Sequence, residues 1–374
     1  GSILCTFAVL GGTVALAVLA VMVTRNSLHQ TSATTTCVLV FGLTVTATQT
    51  LGIFEQLTVR WVEPLKGMIS ILSVLSFHLK VLQTECLIGQ ESLRNFALRQ
   101  SVAPVSAIYI ALVVLLNKKL KEPSLDYLVE STNAIGAVFQ LFFVSIVVSV
   151  LTPFICYKHP GRMGFSMISD AAVLCFEGGN HTSLVVVSGF ACLLVLVPYL
   201  ALTAVATLRY RGAMADSTAS AQHLRMFRFL FFKFNPEAYW YGIVILLRGV
   251  LVCLVPVVAR DATSVQILAM SAFLLAFSLL QLTKQPWRSK IANLMDGGLV
   301  QMMVLLLLCV AMSTNLDGSD SVIGTLGAIV FGTLFICVTL VGIHGVHSRL
   351  MPAPYFQRFI CHHKADAAAQ ARLL

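Results

Sequence analysis

Arg248 stands in the middle of an apolar run, seven residues past the aromatic triplet Tyr239, Trp240 and Tyr241. An Arg at the centre of a bilayer costs at least about 2.5 to 3.5 kcal/mol, so its side chain must face protein or water. The chemistry that would hold it is a carboxylate on a neighbouring span, and Asp296 lies near the start of a later apolar run. At a 1.5 Å rise per residue, Arg248 sits about 18 Å and Asp296 about 8 Å from the same end of their helices, a gap that Arg closes by snorkelling. Such a pair either gates or lines a water-filled crevice, or clamps two helices and fixes the bundle. Gln49, Gln140, Gln266 and Gln281 are amides at the same depth, each able to bond across helices for about 0.6 to 2 kcal/mol. Asn235, Pro236 and Glu237 form a helix-start signature: a cap, a first position that needs no donor, and an acid for the dipole.

The ten cysteines show no CxxC and no Cys/His ligand spacing, so no metal is predicted. Cys156 and Cys175 flank one loop and are a candidate disulfide, with free thiols or pairing to Cys86 as alternatives. That loop also holds the sequon Asn180, His181, Thr182, a candidate glycosylation site in an external segment. In the stretch 225–233, Arg225, Arg228 and Lys233 alternate with Phe, which predicts an amphipathic segment lying on anionic lipid, ahead of a calmodulin-type target. Cys361, His362 and His363 lack a fourth ligand and read as a polar juxtamembrane tail. No Ser/His/Asp set, paired carboxylates, phosphate loop or HExxH is present, so neither enzyme activity nor a cofactor is predicted, and bound lipids are.

The elements that must position these residues are membrane helices. Of 374 residues, 57% are hydrophobic and 11% charged, with mean hydropathy +0.87, against about 25% charged in soluble domains. The apolar runs are continuous rather than alternating, so the fold class is all-α, a polytopic transmembrane bundle of about nine spans (eight to ten). The spans are expected at 3–24, 34–57, 102–117, 133–155, 183–207, 236–258, 263–283, 291–313 and 321–345. The first is read as a span and not a signal peptide because no basic region precedes it. Residues 61–83, with Lys66, His78 and Lys80, are expected to form an amphipathic interfacial helix or a tenth span, followed by a polar connection to Ser101. Four regions follow: 1–100 with the first spans and interfacial helix, 101–235 with the middle helices, 236–345 as a C-terminal four-helix block, and 346–374 as tail. Gly324 and Ala328 make a small-xxx-small face in the last span, for packing within the chain or in an oligomer. No internal repeat is visible, which weakens an inverted-repeat transporter.

Orientation follows from Lys and Arg in short loops. The connections 118–121, 208–233 and 284–290 and the tail are basic, while 158–182, 259–262 and 314–320 are poor in Lys and Arg. The C-terminus is therefore expected in the cytosol and the sequon loop outside. The net charge of +9 is spread over these loops, which argues against nucleic-acid binding. The expected partners are the bilayer and other membrane subunits or further copies of the chain, in the plasma membrane or an organelle.

Trp61 with Pro64, then Cys86, a span starting at Pro104, and TPFICYKHP (152–160) with Cys175 resemble the C-terminal membrane regions of large cysteine-rich, EGF-like protist surface proteins. The later block resembles them more closely: Tyr239-Trp240-Tyr241, Arg248, Gln266, Gln281, Gln285, Pro286-Trp287, Asn293 and Asp296. The same pattern is similar to the TRP-like membrane domain of fungal flavin-carrier-type proteins. The resemblance covers about residues 34 to 345 and implies a TRP-like channel or sensor module of the cell surface. Neither a selectivity filter nor a row of voltage-sensing arginines is present, so conduction comes from likeness alone. The alternative reading is a non-catalytic structural subunit that contributes helices to a larger membrane assembly.

Overall fold

A computed structural model describes residues 32–59, 61, 63–69, 92–120, 126–159, 164–215, 219–260, 262–313 and 320–350. The expected first span, Cys86, most of the interfacial helix and the Cys361–His363 tail lie outside the described residues. The chain is a multi-pass membrane protein with an all-α fold. Among the described residues, seven helices are long and apolar enough to cross a bilayer, or eight if one bent pair counts as a span.

In chain order the helices are α1 (Ser32–Phe54), α2 (Ser92–Leu120), α3 (Tyr127–Leu141), α4 (Phe143–Leu151), α5 (Gly178–Ala191), α6 (Val197–Ala215), α7 (Ala219–Met226), α8 (Arg228–Phe231), α9 (Tyr241–Val258), α10 (Thr263–Lys284), α11 (Lys290–Ser313) and α12 (Asp320–Leu350). The short strands β1 (Cys156–Lys158) and β2 (Phe165–Met167) pair antiparallel between α4 and α5. Residues from α1, α3, α4, α6, α8, α9, α10, α11 and α12 share one continuous core, in which Leu51, Ile53, Phe54, Met270 and Leu307 are wholly buried. Leu65 and Ile69 are also buried there, so the start of the expected interfacial helix packs into protein. Leu65 comes within 3.1 Å of where a Cβ on Gly327 would stand.

Several boundaries differ from expectation for identifiable reasons. The connection before Ser101 is not a loop: residues 92–101 are the first turns of α2, with Asn95 and Phe96 buried, and Pro104 lies inside the helix rather than starting it. The expected span 133–155 is two helices bent by 63° at Phe142. Leu141, the last residue before the bend, has its carbonyl oxygen bonded by Gln49 Nε2 of α1 at 3.1 Å, a partner for one of the helix-end acceptors that lack an intrahelical donor. The fifth span is longer than expected because α5 and α6 continue through a π-turn at Cys192–Leu196. Pro198, which has no N–H to donate, lies two residues past that turn.

The small-residue positions of α12 serve packing within the chain. Gly324 and Ala328 are buried, and a Cβ on Gly327 would stand 3.2 Å from Cys309 Cβ of α11, so the two helices run close along this stripe.

Candidate functional site

The two ends of the bundle differ chemically. One carries the disulfide hairpin, the 259–262 turn and the C-terminus of α1; Arg260 lies over the Phe176 ring at 4.7 Å. The other carries α7, α8 and the 284–290 turn. Between them, nearer the second end, lies the buried polar cluster.

Arg248 Nη1 donates to Asp296 Oδ1 at 3.2 Å, joining α9 to α11. Their side chains are 12% and 3% exposed, so neither charge faces lipid. The other carboxylate oxygen, Oδ2, accepts the Trp287 indole N–H at 2.9 Å. Trp287 is itself held on both sides. Its backbone N–H donates to Asn293 Oδ1 at 3.1 Å and its carbonyl accepts Asn293 Nδ2 at 2.8 Å. Its ring lies 4.9 Å from Phe234. A buried indole N–H needs an acceptor, and the carboxylate is a charged one.

The turn that presents Trp287 is stapled to the segment before α9. Asn235 N donates to Pro286 O at 2.8 Å and Arg288 N to Lys233 O at 3.1 Å, on either side of a Phe234–Trp287 bridge. Asn235 makes no side-chain cap bond; its Nδ2 donates to Gln285 O at 3.1 Å instead. The expected cap at 235 is thus replaced by an interloop staple. Gln285 ends α10 in the left-handed region at φ 41°. Tyr241 is 1% exposed and packs edge-on against Phe234. Tyr239 and Trp240 are half-buried; Tyr239 stacks on Tyr210 with Arg211 5.7 Å from its ring centroid.

The apolar side chains of the basic segment 225–233 face protein rather than lipid. Phe227, Phe229, Leu230, Phe231 and Phe234 are buried in the bundle core. Phe229 nests where Gly136 has no side chain, and Leu230 where Gly242 has none. Asn133 of α3 latches the segment, donating to Arg225 O at 2.7 Å and accepting Phe229 N at 2.9 Å. Lys233 Nζ donates to Gln140 Oε1 at 2.9 Å, and burial pushes its pKa from 10.5 down to about 8. Arg225 is exposed and Arg228 half-buried. The apolar side chains are large enough to fill the bundle end, and burial there outweighs an interfacial position.

Gln140, Arg248 and Asp296 line one cavity of about 30 Å³ together with Thr46 and Thr50 of α1. Its other walls are apolar, among them Phe143, Leu246, Leu274 and Met303. That volume holds about one or two waters, with several polar partners in reach.

The remaining amides hold helices together. Gln266 Oε1 accepts both the backbone N–H and the hydroxyl of Thr58 at 2.9 Å, while its Nε2 donates to Ala259 O and Arg260 O. Gln281 Nε2 donates to Asn293 O at 2.8 Å, so Gln281 supports the residue that positions Trp287.

At the opposite end Cys156 and Cys175 form a disulfide that closes the hairpin. His181 fills the space beside it, its Nδ1 accepting Phe176 N–H at 3.2 Å and its Nε2 bonding Pro153 O at 3.0 Å. The sulfurs are bonded to each other and both imidazole nitrogens are engaged, so this Cys-Cys-His group offers no metal-ligating atoms. Asn180 is exposed in the first turn of α5.

The sequence reading did not assign Trp287, Asn293, Asn133 or the Lys233–Gln140 bond. Of these only Trp287 carried a usable signal, a Trp in a basic turn next to apolar spans. No family model, curated protein or solved structure matches the chain.

Proposed function

We propose that the chain is a TRP-like sensor or channel-like membrane module, with the 208–235 and 284–290 connections in the cytosol and the disulfide hairpin outside. The supporting observation is the cavity between α1, α3, α4, α9 and α11, where Arg248, Asp296, Gln140, Thr46 and Thr50 meet among helices long and apolar enough to span a bilayer. Polar groups at that depth are costly, and ones that converge on a small chamber are what a closed aqueous path needs. The Arg248–Asp296–Trp287 chain couples that chamber to the 284–290 turn, so a displacement of the turn reaches the chamber through three residues.

A second reading rests on a different observation. Both Asp296 oxygens have donors and the chamber has room for only about one or two waters, which suits a clamp in a structural subunit.

Reconstitution of the purified chain into liposomes, with flux of monovalent and divalent cations followed by fluorescent reporters, separates the two readings. Flux that changes severalfold in Arg248→Gln supports the module. Wild-type protein that is folded, correctly inserted and impermeant under voltage, stretch and pH steps overturns it in favour of the structural subunit.

A further inference from the structure

At the end of the bundle that bears the staple, two guanidinium groups converge on one aromatic ring. Arg228 lies 4.8 Å and Arg288 5.0 Å from the centroid of Phe232. They come from segments 60 residues apart in sequence, brought together by the Arg288 N–H bond to the Lys233 carbonyl at 3.1 Å. Like charges repel, so the arrangement exists because the backbone imposes it. Asn133 fixes the Arg228 side, and Asn235 and Asn293 fix the Arg288 side.

The charges are not neutralised locally. Among the described residues neither guanidinium forms an ion pair. Burial lowers the Arg228 pKa, the field of Glu130 of α3 opposes that in part, and the Arg288 charge adds to it. The stretches 225–233 and 284–290 each carry three cations and no acid, and Lys284, Arg288 and Lys290 are exposed. Two forked donors on a rigid platform match the several oxygens of a phosphate better than they match a single carboxylate.

The depth identifies the source of the phosphate. Arg288 lies in the short turn between the candidate spans Thr263–Lys284 and Lys290–Met312, and a turn that short between two spans stands at the membrane–water boundary. A soluble anion would meet such a pair from the aqueous side, whereas a lipid phosphate already lies at this level at high local concentration.

We infer that Arg228 and Arg288, seated on Phe232, form a binding site for the phosphate monoester headgroup of an anionic membrane lipid. The site stands whether or not the chain conducts, because it uses the bundle end and not the Arg248 chamber. The headgroup would bridge α8 to the 284–290 turn and thereby brace the turn that carries Trp287.

The test uses the full chain in neutral detergent with dioctanoyl phosphatidic acid as probe, bound lipid being counted by native mass spectrometry and thermal unfolding followed in parallel. The wild type is expected to retain the probe and to unfold at a higher temperature in its presence. Dioctanoyl phosphatidylcholine should do neither. Arg288→Gln, an exposed substitution that leaves the fold intact, is expected to weaken binding at least tenfold, and Arg228→Gln with Arg288→Gln to abolish it. Lys158→Gln, exposed on β1 at the opposite, hairpin end of the bundle, is expected to bind as the wild type does. Undiminished binding by the double variant, or equal binding of the phosphatidylcholine, overturns the site. A full response to inorganic phosphate alone overturns the lipid as its occupant.

Discussion

The indole N–H of Trp287 donates to Asp296 Oδ2 at 2.9 Å, from a turn to a helix nine residues further on. This bond gives Asp296 a second donor besides Arg248, and so converts an ion pair into a three-residue chain that ends outside the membrane-spanning segments. The carboxylate is stable in its buried position because both of its oxygens are served.

Removing one charge should therefore cost far more than removing both. Arg248→Leu leaves Asp296 buried and unpaired, and is expected to lower stability by about 3 to 5 kcal/mol. Arg248→Met combined with Asp296→Asn keeps an acceptor for Trp287 and is expected to recover most of that loss. Thermal unfolding of the three proteins in one detergent measures the difference; equal destabilisation of single and double variants would contradict the pairing.

The hairpin end makes a separate demand. The Cys156–Cys175 disulfide spans a sequence separation of 19, so its loss through Cys→Ser at both positions is expected to cost about 3 kcal/mol by loop entropy. Limited proteolysis at 158–176 should become faster while the Arg248 end keeps its protection. Mass shifts on alkylation with and without reductant establish the bond directly.

Lys233 predicts a pH dependence of definite sign. Its folded pKa of about 8 lies below the ordinary 10.5, so between those values the unfolded chain binds more protons and stability rises with pH. Below pH 8 both states are protonated and the penalty for burying the cation is full. The gain across the window is about 3 kcal/mol. Lys233→Met is expected to remove that rise, as read from urea unfolding at pH 7.5, 9 and 10.5.

Gly136 tests whether α8 is wedged into the bundle. A Cβ there would overlap the Phe229 ring. Alanine would gain about 1 kcal/mol of helix propensity, yet overpacking against an aromatic ring costs about 1 to 3 kcal/mol. Gly136→Ala is expected to destabilise, and Gly136→Ala with Phe229→Leu to be milder. An increase in unfolding temperature for the single variant would show that α8 does not sit where described.

The helical class and the membrane were legible because twenty-residue apolar runs have few other uses. Arg248 and Asp296 were legible because charges in such runs have few partners to choose from. Trp287 was visible as a Trp in a basic turn but its partner was not, since a buried indole N–H takes any acceptor that the fold brings near. Phe229 and Phe231 were misplaced on lipid because an apolar residue at a membrane edge is satisfied equally by lipid or by core, and nine residues are too few for periodicity to choose. The bend at Phe142 has no proline or glycine beside it, and the helical start of α2 is masked by Arg94 and Arg99, which are polar without being a loop signal.

Residues 127–154 as one straight helix would be roughly 40 Å long, about 10 Å more than the hydrocarbon thickness. The 63° turn at Phe142 shortens the end-to-end reach of that stretch. Gln49, reaching from α1 to the Leu141 carbonyl, bonds the last residue before the bend, so a neighbouring helix helps to fix where the reach of 127–154 is cut short.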